Sequence, residues 1–125
     1  MKQFKEMTLS EIVELIYANN CIKGFNSEPD HDKWVASQIA NLHQEVSELW
    51  DGYRDGTYGQ PCDKCEKMEL MGFNKNEISK EAEECADIVI RALGFARHRG
   101  IDITRAIFVK HSFNTTRPHM HGKKN

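Results

Sequence analysis

The chain has 125 residues, 17 of them basic and 19 acidic, for a net charge near −2; 39% are hydrophobic and the mean hydropathy is −0.64. The length suits one domain over residues 1–125 and is short for two. The balanced charge excludes the electrostatic footprint of a nucleic-acid polymer binder. No apolar run approaches the roughly 20 residues that cross a bilayer as a helix, so no membrane is expected.

Thr8-Leu9-Ser10-Glu11 has the form of a capping box, which starts a first helix running to about Asn20. Its apolar positions Leu9, Ile12, Val13, Ile16 and Tyr17 share one side. A second helix is predicted from just after Pro29-Asp30 to about Arg54. There Val35, Ile39, Leu42, Val46, Leu49 and Tyr53 alternate three- and four-residue steps, the period of an amphipathic helix. Residues 55–76 read as an irregular loop punctuated by Asp55-Gly56, Tyr58-Gly59, Pro61 and Gly72.

A third helix opens near Ser79, with acidic residues in its first turn, and ends at Gly100. Ala82, Cys85, Ala86, Val89, Leu93 and Ala96 form its expected buried face. Asp102 or Thr104 can cap a fourth helix from Arg105 to about Thr116, stopped by Pro118. Residues 118–125 are a short basic tail. No segment alternates as a strand does. The predicted class is all-α, an antiparallel bundle of four main helices whose modest core is completed by oligomerisation.

Two acidic pairs carry the chemistry. Glu45-x-x-Glu48 lies on the second helix and Glu84-x-x-Asp87 on the third. Residues three apart project from nearly the same helix face, so each pair aims two carboxylates at one place. Together they make a cage of hard oxygen donors, the chemistry that suits Mg²⁺, with Mn²⁺ as a substitute. The competing reading is a solvated acidic face, with Asp87 and Arg91 as an ordinary i, i+4 ion pair. Wheel arithmetic puts Glu45 about 60° and Glu48 about 120° from the centre of the apolar stripe, at its border.

On the fourth helix Lys110, Asn114 and Arg117 share a face. They read either as solvent-facing polar residues or as an anion clamp of point charge, amide and planar fork. A metal cage beside a phosphate clamp makes the two halves of a nucleoside-triphosphate site.

These runs resemble the MazG-like, all-α nucleoside triphosphate pyrophosphohydrolases. The matching stretches are Gln44-Glu45-Val46-Ser47-Glu48, then Glu83-Glu84-Cys85-Ala86-Asp87-Ile88-Val89-Ile90-Arg91, then Lys110 to Pro118, with His121-Gly122-Lys123 and Lys23-Gly24-Phe25 in support. The likeness covers roughly residues 8–123. It departs where Gln44 replaces a first glutamate and where Gly94 stands in place of an acidic residue.

The resemblance implies hydrolysis of (deoxy)nucleoside triphosphates between the α- and β-phosphates, giving monophosphate and pyrophosphate. Glu45, Glu48, Glu84 and Asp87 would hold the metal, with Glu45 accepting the proton of the attacking water. Lys110 and Arg117 would stabilise phosphoryl charge, and Asn114 would fix a sugar or phosphate. Phe25 and Trp34 would stack the base, or are plain core aromatics. It also implies a homodimer or homotetramer in the cytoplasm of a bacterial or phage-infected cell. The N-terminus, Met1 to Glu6, has no signal-peptide stretch, which agrees with that location.

Cys62-x-x-Cys65 has the spacing of half a zinc site, of a redox pair and of two ordinary loop thiols. No close second Cys/His pair follows it; His119, His121 or a second subunit would have to complete a structural Zn²⁺. The alternative to an enzyme is a non-catalytic helical interaction module that uses this loop for zinc or a partner.

Overall fold

The computed structural model describes residues 6–122. Met1 to Lys5 of the N-terminal reading and Lys123 of the tail motif lie outside them. Among the described residues the chain is all-helical, with no strand: α1 spans Leu9–Ile22, α2 His31–Arg54, α3 Cys65–Leu70, α4 Lys80–His98 and α5 Ile103–Thr115, followed by a 3₁₀ turn at His119–Gly122. No helix is long and apolar enough to cross a membrane. The helices fall into two compact units, one of residues 27–92 and one of residues 1–26 with 93–125.

In the second of these units, α1 starts as its sequence dictates. The Thr8 hydroxyl accepts from the Glu11 amide while the Glu11 carboxylate accepts from the Thr8 amide, which satisfies two otherwise orphaned donors. Val13, Leu93 and Ala96 are its buried apolar side chains. Arg97 bonds Glu14 through Nε at 2.7 Å and lies 4.1 Å over the Tyr17 ring. Asp102 is the cap of α5, accepting from the Arg105 amide; Thr104 bonds Ser10 instead, hydroxyl to hydroxyl at 2.9 Å. Gly94 is buried, and a Cβ built there would sit 2.5 Å from Asn20 Nδ2 and 3.5 Å from Ile16 Cγ2. A larger side chain at this position would have to displace the end of the Asn20 side chain.

The unit of residues 27–92 departs from the sequence reading in two respects. First, the stretch 55–76 is more than turns. It carries α3, and an isolated antiparallel bridge between Pro61 and Ser79 ties it to the start of α4, with the Cys62 amide on the Ile78 carbonyl and the Lys80 amide on Gln60.

Second, the apolar stripes are turned partly outward. On α2 the inward positions are Trp34, Gln38, Asn41, Glu45, Glu48 and Gly52, flanked by Leu42 and Leu49. Ile39, Val46, Trp50 and Tyr53 are exposed. On α4 the expected buried face fails over its first turns: Ala82, Cys85, Ala86 and Val89 are exposed, whereas Glu83 is buried and Glu84, Asp87 and Arg91 are half-buried. Apolar residues do not fill the seam because carboxylates occupy it, Glu83 paired with Lys64 and one oxygen of Glu45 with Arg91.

Replacing Gly94 by Glu is expected to cost about 2 kcal/mol, the usual scale of overpacking. Urea denaturation followed by circular dichroism measures it, and an unchanged midpoint would contradict the packing of Asn20 against Gly94.

Candidate metal centre

The inward faces of α2 and α4 bring Glu45, Glu84 and Asp87 together, one carboxylate oxygen of each lying within 4.8 Å of the others. Glu45 and Glu48, and likewise Glu84 and Asp87, reach the seam because a three-residue step returns to nearly the same helix face. Glu48 stands beside the group: its charge raises the pKa of both Glu45 and Glu84, and its Oε1 accepts from Gln44 Nε2 at 3.4 Å. All four acidic residues singled out in the sequence therefore meet at one seam, with three in ligating reach of one another.

The electrostatics are those of an under-compensated anionic pocket. Burial, then Glu48, pushes the Glu45 carboxyl above its ordinary range, and Arg91 opposes this through an Nε–Oε1 contact of 3.3 Å. Burial and the neighbouring carboxylates raise Glu84 from 4.5 to about 7. Asp87 is also raised, chiefly by burial and Glu83, with Lys64 and Arg91 pulling the other way. Glu45 Oε2 and Glu84 Oε2 are buried without a hydrogen-bond partner.

Two oxygens removed from water with no donor beyond a neighbouring carboxyl's proton are costly, and a cation would relieve both. The donors are hard carboxylate oxygens at ligating separation, so the residues fit a hard divalent cation. The i, i+4 pairing of Asp87 with Arg91 anticipated as the bland alternative is only partly met, because the Arg91 Nε contact goes to Glu45 on the other helix.

Beside the seam lies a cavity of about 230 Å³ lined by Glu48, Leu49, Gly52, Thr57, Tyr58, Lys80, Glu81 and Glu84 among others. Lys80 and Tyr58 give it a cation and an aromatic wall. Neither stood out in the sequence, because the loop that carries Tyr58 shows no period and one lysine at a helix start is unremarkable. Lys64 was missed for the same reason: it pairs with the buried Glu83 on α4.

Trp34 is 2% exposed and stacks near His31, ring centroids 6.1 Å apart, as a core aromatic; Phe25 is half-exposed in the other unit. Lys110 and Asn114 line a shallow groove of about 420 Å³ on α5 with Ile103, Ala106, Ile107 and His111. Lys110 Nζ and the Arg117 guanidinium lie 4.9 and 5.6 Å from the Phe113 ring centroid, and Asn114 Oδ1 is buried without a partner. Lys110 and Asn114 share the groove on α5, whereas Arg117 lies past the helix end; all three belong to the unit that does not contain the carboxylates.

Comparison of the chain with protein-family models, with curated proteins and with solved structures gave no match.

The raised Glu84 carboxyl makes stability depend on pH with a definite sign. Between 4.5 and about 7 the folded chain holds a proton that the unfolded chain has released. Its contribution to stability is full below that window and is lost as pH rises through it. In metal-free buffer the melting temperature is expected to fall across this range, and Glu84→Gln is expected to flatten the fall. A variant with the same slope as the native chain would show that Glu84 is not the group responsible.

Proposed function

We propose that the chain is a Mg²⁺-dependent nucleoside triphosphate pyrophosphohydrolase of the MazG-like kind, cleaving between the α- and β-phosphates to release monophosphate and pyrophosphate. The observation that carries this reading is the convergence of Glu45, Glu84 and Asp87, with two buried oxygens lacking partners, from the two helices whose motifs resemble that family.

Glu45, Glu84 and Asp87, with Glu48 beside them, are the residues that would hold the metal. Bound there, Mg²⁺ (or Mn²⁺) would neutralise phosphate charge and make a coordinated water more acidic. Glu45 Oε2 is the proton acceptor in this scheme. Its other oxygen is anchored by Arg91, and the raised basicity of its carboxylate favours taking a proton. By the family resemblance Lys110 and Arg117 would supply positive charge for phosphoryl oxygens, and Asn114, whose Oδ1 lacks a partner, would supply an acceptor for a sugar hydroxyl. Phe25 is the accessible member of the two aromatics proposed to stack the base, since Trp34 is buried.

A bundle completed by a second copy belongs to the same proposal. Ile39, Val46, Trp50 and Tyr53 on α2 and Val89 and Ile90 on α4 are large apolar side chains exposed in the single chain. Such faces are what a dimer or tetramer would cover.

The purified protein should convert a panel of dNTPs and NTPs to monophosphate and pyrophosphate with Mg²⁺ and not with EDTA, read by ion-exchange chromatography. Glu45→Gln is expected to lower kcat by about 100-fold or more, the scale of a lost general base. If no nucleotide is turned over and Glu84→Ala leaves Mg²⁺ affinity unchanged, the reading passes to the non-catalytic interaction module.

Sedimentation should give a dimer or tetramer that Trp50→Glu shifts toward monomer. A native chain that sediments as a monomer would remove the assembly from the proposal.

A further inference from the structure

The loop between α2 and α4 holds a thiol pair that the hydrolase reading leaves unused. Cys62 Sγ and Cys65 Sγ lie 3.6 Å apart. The Cys65 amide bonds the Cys62 carbonyl at 3.2 Å, closing a tight turn. Such a turn keeps its end Cα atoms within about 7 Å, the range that a disulfide spans without moving backbone.

The two thiols also differ in access. Cys62 is 3% exposed, in contact with Met68 Sδ at 3.9 Å, and burial raises its pKa; Cys65 is half-buried at the loop's edge. Cys65 is thus the more accessible member of the pair to an incoming disulfide.

Zinc is the competing use of this spacing, and it needs four ligands. Glu83 comes beside Cys62, but among the described residues no group of three or more Cys, His, Asp or Glu side chains forms around the pair, Glu45, Glu84 and Asp87 being the cluster that does form.

We propose that Cys62 and Cys65 are a reversible dithiol–disulfide couple that exchanges with low-molecular-weight disulfides of the glutathione class, Cys65 attacking first. The Cys65 thiolate attacks one sulfur of the small disulfide, forming a mixed disulfide and expelling a thiolate. Cys62 then attacks the Cys65 sulfur, its proton passing to solvent, and expels the second thiolate. The protein loses two electrons and two protons, and the small disulfide is reduced to two thiols. This inference does not depend on the hydrolase reading.

The loop is fastened to α4 by the Pro61–Ser79 bridge and by Lys64 on Glu83, one residue from Glu84, so the couple is joined to the helix that carries half of the acidic seam.

The test treats the full chain with glutathione disulfide, quenches by alkylation and maps peptides by mass spectrometry. The expected result is a Cys62–Cys65 peptide lacking two hydrogens and refusing alkylation, restored by excess reduced glutathione. Cys62→Ser should instead accumulate a stable glutathione adduct on Cys65, and Cys65→Ser none on Cys62. Separate adducts on both cysteines of the native chain, or both remaining alkylatable while the exposed Cys21 and Cys85 react, would overturn the proposal. So would purification of the pair with bound zinc that blocks the exchange. The native-chain measurement stands even if a serine variant fails to fold.

Discussion

The unit of residues 27–92 is organised around the closure of two helices on their own carboxylates. Glu45 on α2 and Glu84 and Asp87 on α4 come within ligating distance, although like charges at that separation repel and burial penalises each of them. Closure is tolerated because the charge is partly removed. Arg91 takes one oxygen of Glu45, Lys64 takes Glu83, and Glu84 keeps a proton to about pH 7. What stays uncompensated is two buried oxygens. In a seam of this kind protonation and stability are linked through the same few atoms.

The consequence for packing is a sparse interior. Where carboxylates take the inward positions of α2 and the first turns of α4, the apolar stripes beside them are left with one covered flank. Trp34 and Cys62 are the buried hydrophobic side chains of this unit, while Trp50 and Tyr53 are more than half exposed. In the other unit the division is conventional, with Val13 of α1 and Leu93 and Ala96 of α4 buried. A single helix, α4, thus changes character along its length, from an acidic inward face before residue 92 to an apolar one after it. Its companion in the first stretch is the loop that carries α3, fastened by backbone bonds at Pro61–Ser79 and by the Lys64–Glu83 pair.

Much of this was legible in the sequence, because local signals are decided locally. The capping box at Thr8 and Glu11, the caps at Asp30 and Asp102 and the stop before Pro118 fix where helices begin and end, and they lie within two residues of the boundaries read from the chain. The three-residue steps of Glu45 and Glu48 and of Glu84 and Asp87 fix that each pair shares a face. Helix geometry alone makes that so.

What the periodicity misjudged is which face turns inward over the first turns of α4, since it assumes that water is kept from hydrocarbon first. Only the tertiary structure decided that Glu45 lies inside and Val46 outside, that Arg91 reaches across to Glu45 on the other helix, and that Lys64 and Tyr58 arrive beside the seam from a loop without period and Lys80 from the start of α4. These choices depend on contacts between residues tens of positions apart, where desolvation and pairing of charge outweigh the local preference for burying an aliphatic side chain.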